Sequence, residues 1–347
     1  MPSVAWSRRL SALVVVVMVV VVACDAGPAT RTVRATGNEL HPQGDAGTPI
    51  TVPEAIGALV SGPMPATGVA EVEARVVEAG FAMGPYEGTG TWLDVYDWSS
   101  AYTTSGVPVV GPDSVDVMAA RGANTLFIQT ARFDNPATVL EPELLTQFID
   151  RAHANGMAVV GWYLPTYEHP AVDYERLMAI AELGVDGITV NIEATQVENI
   201  GLRSARAIEL AALLRESLPG SIIGSVVFPP LLTETIGPGV WPAFPWAELA
   251  PYHDVWLTMG YWTDRRADSG WRDGYAYTDE NLRLLRQLLD DPDLVVHPVG
   301  GLSGAVKAGQ IAGMVRAATE HGAIGTSVYD YPSMTEEQWT ELVTFGS

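Results

Sequence analysis

The chain has 347 residues, of which 48% are hydrophobic and 17% are charged. This length holds two small domains or one large barrel, and the apolar fraction supplies a buried core, which excludes an intrinsically disordered chain. Its 41 acidic and 19 basic side chains give a formal net charge of −22. Because phosphate contacts require a basic surface, this charge argues against nucleic acids and other anionic polymers as partners.

The first 23 residues have the pattern of an export signal. Arg8 and Arg9 precede a valine-rich run over 10–23, which is short against the roughly 20 residues of a transmembrane helix. The run ends at Cys24, the only cysteine of the chain. This ending resembles the lipobox of bacterial lipoproteins, which implies a diacylglyceryl anchor on Cys24 and a location at the outer face of the bacterial cell membrane. A secretory signal with a chance cysteine is the alternative.

The segment 24–87 is predicted to be a flexible tether. From 25 to 68 it is rich in Gly, Pro, Ala and Thr without a sustained period, which is typical of linkers. The apolar spacing over 69–81 indicates a short helix at the entrance of the domain. We therefore expect one folded domain over 88–347.

Strand-length apolar runs alternate with amphipathic helices from residue 88 onward. Strands are predicted at 91–97, 123–130, 157–164, 185–192, 221–228, 254–261, 294–301 and 323–330. Helices are predicted at 142–155, 173–183, 204–218, 280–289 and 309–321. This alternation predicts right-handed βαβ units, and eight of them predict a single closed (β/α)8 TIM barrel. A doubly wound sheet would have a glycine-rich phosphate loop after its first strand, and the segment there has none.

Carboxylates and aromatic rings follow the predicted strands, at the end of a barrel where active sites lie. The candidate site residues are Asp94, Asp97, Trp162, Tyr163, Asn191, Glu193, Tyr261, Trp262, Asp264, Tyr329 and Asp330. An acid that protonates a leaving oxygen and rings that hold a sugar are the requirements of glycoside hydrolysis. We therefore expect a carbohydrate, as an oligo- or polysaccharide, to be the partner at this site.

Segment 185–193 reads VDGITVNIE and carries the most specific pattern of the chain. It resembles the strand-four signature of the family 18 glycoside hydrolases, the chitinases and related endo-N-acetylglucosaminidases, and only Thr189 departs from that signature. Segment 259–261, MGY, resembles the Met-x-Tyr of the family's strand six. Trp262 and Tyr329 stand where the family usually has an aspartate and a tryptophan.

The resemblance implies that Glu193 is the proton donor and that the N-acetyl oxygen of the substrate is the nucleophile, held by the side chain at Asn191. Because strand residues alternate between two faces, Thr189, Asn191 and Glu193 are expected to point together into the barrel mouth. Tyr261 and Asp330 complete the expected catalytic group. The other candidates are expected to contact the substrate: Asp94, Asp97, Trp162, Tyr163, Trp262, Asp264 and Tyr329.

Other interpretations of these residues stay open. Hydrolysis by two carboxylates would use Glu193 with Asp264 or Asp330 as nucleophile or base. A catalytically inactive glycan-binding lipoprotein would use the rings of the site as stacking platforms. An ion pair between Glu193 and Arg132 is the structural alternative for the acid. For Asp94 and Asp97, the structural alternative is that they cap a helix.

The sequence predicts neither a metal nor a cofactor. It contains no HExxH motif, no paired histidines and no clustered cysteines. His297 lies within an apolar run before Pro298, and we expect it to be a hydrogen-bonded core residue.

Overall fold

A computed structural model describes residues 84–103 and 105–346 of the chain. The strands are β1 (Gly88–Leu93), β2 (Thr125–Gln129), β3 (Ala158–Tyr163), β4 (Gly187–Ile192), β5 (Ile223–Val227), β6 (Val255–Gly260), β7 (Val299–Gly300) and β8 (Gly325–Val328). Each pairs in parallel with the next, and β8 pairs with β1 to close the barrel. The predicted (β/α)8 TIM barrel is confirmed. The export signal, Cys24 and the tether up to residue 83 lie outside the described residues.

Helices follow the strands around the barrel. They are α1 (Val95–Trp98), α2 (Ser114–Ala120), α3 (Pro142–Ala154), α4 (Pro170–Ala181), α5 (Ile200–Ser217), α6 (Trp246–Leu249), α7 (Gly274–Leu289), α8 (Gln310–Glu320) and α9 (Glu336–Leu342). The helices α3, α4, α5, α7 and α8 are those predicted from the sequence. Over the described part of the chain, no helix has both the length and the apolar character needed to cross a membrane.

The first strand ends earlier than predicted because a helix cap stops it. Strand β1 ends at Leu93, and the next residue, Asp94, is the N-cap of α1. Its Oδ1 accepts the N–H of Tyr96 at 2.8 Å, while Oδ2 of Asp97 accepts the N–H of Asp94 at 3.0 Å. This reciprocal capping box satisfies two backbone donors at the start of a helix, so the run 91–97 divides into a strand and a turn of helix.

The seventh strand is shorter than predicted because a proline interrupts it. Only Val299–Gly300 is continuous strand, and Val296 forms an isolated bridge to Trp256. Pro298 lies between these two pairings and has no N–H to donate to a neighbouring strand. The result is a narrow seventh strand that is still paired on both sides.

Tyr86 closes the interior of the barrel at the amino ends of the strands, a region that we call the floor. Its buried hydroxyl donates to the carbonyl oxygen of Ile188 at 2.7 Å and accepts the N–H of Gly224 at 3.1 Å. A Cβ atom at Gly224 would lie 2.8 Å from the Tyr86 ring, and one at Gly187 would lie 3.0 Å from it. Glycines therefore make room for the ring. Tyr86, two residues before the predicted start of the domain at residue 88, packs in the core of the barrel.

A buried histidine extends the hydrogen bonds of the floor. In His297, Nδ1 is 2.8 Å from the carbonyl oxygen of Tyr86, and Nε2 is 2.9 Å from Oγ of Ser327. Trp92 Nε1 donates to the same Ser327 oxygen at 2.8 Å. Burial lowers the pKa of His297 to about 4, so the imidazole is neutral at neutral pH. The expectation of a hydrogen-bonded core histidine is confirmed.

Above the floor, large apolar side chains fill the barrel. The rings of Trp92 and Phe127 stack at a centroid distance of 4.3 Å and an interplanar angle of 7°. They pack with inward-facing residues of β3 and β6, among them Val160 and Leu257. The interior is thus a solid core below the carboxyl ends of the strands, and any ligand site on the barrel axis lies above it.

Candidate active site

The alternation of β4 places its polar residues inside the barrel. Ile188, Val190 and Ile192 pack in the cluster between the barrel and the outer helices. The opposite face carries Thr189, whose Oγ1 lies 3.2 Å from the Tyr86 hydroxyl, and then Asn191. Glu193, one residue past the strand, continues this inward face, as the sequence predicts.

Glu193 is hydrogen-bonded to Asn191. The Nδ2 atom of Asn191 donates to Oε1 of Glu193 at 2.8 Å. Burial raises the pKa of Glu193, and this hydrogen bond acts in the opposite direction but is the weaker influence. The carboxyl group is therefore disposed to hold a proton, as a general acid must. The alternative ion pair with Arg132 is not formed, because Arg132 pairs with Asp134 at 3.2 Å.

Two polar atoms on the inward faces of β3 and β4 are buried and have no hydrogen-bond partner among the described residues. The Oδ1 atom of Asn191 accepts no hydrogen bond from the described residues, and Nε1 of Trp162 donates none to them. Both residues are less than a tenth exposed, and they lie on the inward faces of the neighbouring strands β4 and β3. Leaving an acceptor and a donor unpaired costs about 1–3 kcal/mol each, so a ligand with a matching donor and acceptor would recover that cost.

Tyr261 follows β6 and lies close to the acids of the site. Burial raises the pKa of its hydroxyl well above the usual value, and the negative charges of Glu193, Asp264 and Asp330 raise it further. Asp264 itself is exposed. The phenol therefore stays protonated and can donate a hydrogen bond to a substrate oxygen.

Three carboxyl groups gather where β1 and β8 end. One oxygen each of Asp94, Asp97 and Asp330 lies within 4.8 Å of the other two. The hydroxyl of Tyr329 donates to Oδ2 of Asp94. Burial, together with the nearby acids, raises the pKa of Asp97 and that of Asp94. We call the residues at this end of the barrel the mouth: Asp94, Asp97, Trp162, Asn191, Glu193, Tyr261, Tyr329 and Asp330.

Carboxylate oxygens at this spacing are ligands that a hard cation accepts. Each of the three carboxyl groups already accepts a protein hydrogen bond: Asp94 from Tyr329 and Tyr96, Asp97 from the N–H of Asp94, and Asp330 from the hydroxyl of Ser333. The capping role considered for Asp94 and Asp97 is confirmed.

Two predicted substrate contacts lie away from the mouth. Tyr163 is fully buried on the outer face of β3, and its hydroxyl donates to Oδ1 of Asp173 in α4 at 2.7 Å. Trp262 is 2% exposed and packs against Gly260 and the outer core. Neither ring is open to a sugar, so the assignment of Tyr163 and Trp262 to substrate contact does not fit their placement.

The sequence reasoning missed Tyr86, Trp92 and Ser327. Tyr86 lies before the first predicted strand, in a segment predicted to be a tether. The β-strand period could have identified Trp92, because it lies on the same face of the first strand as Asp94. No local signal reveals the bond from Trp92 to Ser327, which joins residues 235 positions apart.

Comparison with known proteins places the fold. No protein-family model matches the chain, and no curated protein sequence matches it. Among solved structures, it is similar to a Group IV chitinase from Ostrinia furnacalis, with a TM-score of 0.52 and 12% identity over 74% of this chain and 98% of that one.

Two bacterial structures show a similar degree of likeness. The spore cortex-lytic enzyme SleL from Bacillus cereus has a TM-score of 0.53 and 10% identity, over 75% of this chain and 74% of that one. A chitinase from Chromobacterium violaceum has a TM-score of 0.50 and 10% identity, over 75% of this chain and 98% of that one. At these identities the likeness establishes the fold, and the chain therefore has a (β/α)8 barrel of the kind found in chitinases and related glycoside hydrolases.

Proposed function

We propose that the chain is an exported, lipid-anchored glycoside hydrolase that cleaves a polysaccharide or cell-envelope glycan, with Glu193 as the general acid. The observation that carries this proposal is the placement of Glu193. It is a carboxyl group with a raised pKa at the inward end of β4, and it is hydrogen-bonded by Asn191. The similar structures of chitinases and of a spore cortex-lytic enzyme support a glycan as the substrate. Export and the anchor on Cys24 rest on residues 8–24 alone.

The unpartnered atoms of the mouth favour an N-acetylated sugar. An acetamide group offers one N–H donor and one carbonyl acceptor. Among the described residues, Oδ1 of Asn191 lacks a donor and Nε1 of Trp162 lacks an acceptor. The protonated hydroxyl of Tyr261, close to Glu193, is a further donor. An N-acetyl group in the mouth would satisfy polar atoms that are otherwise buried at a cost.

This fit supports hydrolysis with the help of the substrate. Glu193 gives its proton to the glycosidic oxygen, and the bond from that oxygen to the anomeric carbon breaks. The acetamide oxygen attacks the anomeric carbon and forms a cyclic oxazolinium. The Glu193 carboxylate then takes a proton from water, whose oxygen attacks the same carbon and opens the ring, so that the acid is regenerated. In this scheme Asn191 accepts the acetamide N–H.

The mechanism is tested by hydrolysis of labelled oligosaccharides by the soluble barrel and by its Glu193→Gln variant. We expect kcat to fall at least about a hundredfold, because the amide cannot donate the proton. Glu198→Gln is the matched control, since Glu198 is an exposed acid in the same loop. Equal turnover by wild type and Glu193→Gln would remove Glu193 from the mechanism.

A catalytically inactive glycan-binding protein is the second candidate. The observation that favours it is the amide at Asn191, because an amide cannot balance the positive charge of an oxazolinium as a carboxylate does. Binding of the same oligosaccharides without turnover by the wild-type barrel would support this candidate over hydrolysis.

A further inference from the structure

Asp94 occupies a position in the mouth that differs from that of the other acids. Both of its carboxylate oxygens accept hydrogen bonds from the protein. Oδ1 accepts the N–H of Tyr96, and Oδ2 accepts the hydroxyl of Tyr329. Asp94 therefore joins the end of β1 to the residue that follows β8, the two strands that close the barrel.

Asp94 is itself held rigidly. The capping box at the start of α1 fixes its side chain through Tyr96 and its backbone N–H through Asp97. A carboxylate that is fixed at two points can orient a third group with little loss of conformational entropy. The geometry of Asp94 is thus set by β1 and α1 and does not depend on a ligand.

Tyr329 is also fixed from its other end. Its carbonyl oxygen accepts the N–H of Ser303 at 2.9 Å, and the Ser303 hydroxyl donates to the carbonyl oxygen of Asp330 at 3.0 Å. The ring, which is partly exposed, packs at the edge of the barrel-interior cluster. Backbone contacts hold one end of the side chain, and Asp94 holds the hydroxyl at the other.

Other carboxyl groups surround the hydrogen bond from Tyr329 to Asp94. Asp97 and Asp330 lie within 4.8 Å of Asp94, and Arg132 is the nearby cation that favours the charged form of Asp94. A hydroxyl that donates to a crowded carboxylate relieves part of its unfavourable burial, and a hydrogen bond to a charged group is about twice as strong as a neutral one. The arrangement holds the phenol firmly toward β1.

We propose that Asp94 is a positioning residue that fixes the Tyr329 ring in the mouth as a platform that contacts the sugar. The proposal rests on the proposed function, in that a glycan binds there. It changes the sequence-based expectation for Asp94 from direct substrate contact to action through Tyr329. The platform binds the sugar in the ground state and in the transition state alike, so its loss raises KM and leaves kcat nearly unchanged.

The test is a double-mutant cycle of Asp94→Ala and Tyr329→Phe, with KM and kcat measured on a chromogenic N-acetylated oligosaccharide. Each single variant is expected to raise KM about tenfold, which is the upper range for a well-oriented aromatic contact, with kcat within about twofold of wild type. The double variant is expected to match the single variants, because both remove one interaction. Tyr329→Phe leaves the cap of α1 intact, so the result does not depend on the folding of Asp94→Ala.

Asp94→Asn separates position from charge. Its amide nitrogen can donate to the Tyr329 oxygen while its carbonyl oxygen keeps the Tyr96 contact, so we expect KM close to that of wild type. Asp268→Ala, which breaks an exposed ion pair with Arg266, is the control for loss of an acid and leaves both constants unchanged. Additive effects in the cycle, a loss confined to kcat, or failure of Asp94→Asn to restore KM would each overturn the proposal.

Binding measurements distinguish this proposal from the proposed function. In the Glu193→Gln background, calorimetric titration with the same oligosaccharide gives a dissociation constant without turnover. A tenfold weaker dissociation constant for Tyr329→Phe and for Asp94→Ala supports the positioning role even if wild type proves inactive. Equal dissociation constants overturn the positioning role, even if Glu193 proves essential for hydrolysis.

Discussion

At the floor of the barrel, Tyr86, His297 and Ser327 satisfy one another and the neighbouring backbone with hydrogen bonds of 2.7–3.1 Å. At the mouth, a buried oxygen of Asn191 has no hydrogen-bond partner in the part of the chain that the structure describes, and acids lie close to one another. Both ends bury polar groups: Tyr86, His297 and Ser327 are fully buried, and Asn191 and Asp97 are less than a tenth exposed. They differ in whether those groups find partners within the protein.

This difference indicates that the floor stabilises the barrel, whereas the mouth is suited to bind a ligand. Paired buried polar groups contribute about 1 kcal/mol each to stability, whereas unpaired groups and crowded like charges cost free energy. Unpaired buried groups and crowded charges persist at functional sites, where a bound ligand can supply the missing partners. The floor is therefore expected to lose stability when its polar residues are removed, and the mouth is expected to gain it.

The largest effect is expected from the floor residue Tyr86. Tyr86→Ala should lower the free energy of unfolding by about 4 kcal/mol, because it empties the space against Gly187 and Gly224 and removes the buried hydroxyl. Tyr96→Ala, at the rim of the mouth, removes a ring that is 47% exposed and should cost less than about 1 kcal/mol. Denaturant unfolding followed by tryptophan fluorescence measures both, and equal losses would contradict the comparison.

The next effect is the pH dependence that His297 gives to stability. Its folded pKa of about 4 lies below the usual value, so between about pH 6.5 and pH 4 the unfolded chain binds a proton that the folded chain does not. His297 therefore makes its whole contribution to the free energy of unfolding above about pH 6.5. This contribution falls by about 3 kcal/mol as the pH drops to 4.

His297→Gln isolates this contribution, because glutamine does not titrate and every other group cancels in the difference between the two proteins. We expect the stability advantage of wild type over the variant to shrink by about 3 kcal/mol between pH 7.5 and pH 4. Unfolding curves at half-unit pH steps measure it. An advantage that stays constant over this range would contradict the assignment.

The smallest effect has the opposite sign and belongs to the mouth. Burial and the charges of Asp94 and Asp330 raise the folded pKa of Asp97, so at neutral pH the folded chain binds a proton that the unfolded chain has released. The raised pKa of Asp97 in the folded chain lowers the free energy of unfolding at pH values above about 4, the pKa of this carboxyl group in the unfolded chain. Asp97→Asn keeps an oxygen to accept the N–H of Asp94. It should raise the free energy of unfolding by about 2 kcal/mol at pH 7.5, because Asp94 and Asp330 share the electrostatic cost with Asp97.

Unfolding measured at pH 4 tests whether the stability gain from Asp97→Asn depends on pH as expected. There the unfolded carboxyl group is also partly protonated, so the gain from Asp97→Asn should nearly vanish. Asp268→Asn is the exposed control and should change stability by less than about 0.5 kcal/mol at either pH. Destabilisation by Asp97→Asn at pH 7.5 would show that the mouth is not under electrostatic strain.

Periodicity and spacing were enough to predict the barrel. The alternation of helices with apolar runs gave the eight parallel strands, because each unit buries its own apolar face against its neighbours. The limits of β1 and β7 were wrong where a capping box at Asp94 and the missing N–H of Pro298 override the apolar pattern. The capping residues and the proline are visible in the sequence, but the apolar run that predicts a strand is the stronger signal there.

The site was only partly predictable. The period of β4 correctly placed Asn191 and Glu193 on one inward face. The same rule places Trp162 and Tyr163 on opposite faces of β3, because neighbouring strand residues alternate. The prediction that both rings contact the substrate did not apply this rule. The bond between Tyr329 and Asp94 joins residues 235 positions apart, so it depends on barrel closure and has no local signal.

The bonds around His297 have a fixed direction. The carbonyl oxygen of Tyr86 can only accept, so the neutral imidazole of His297 carries its hydrogen on Nδ1. Its Nε2 therefore accepts the Ser327 hydroxyl, and the Ser327 oxygen in turn accepts the indole N–H of Trp92. A single tautomer thus exists only while β1, β8 and the segment before β1 are assembled. The nitrogen NMR shifts of this one ring would accordingly serve as a spectroscopic reporter of whether the first and last strands have joined.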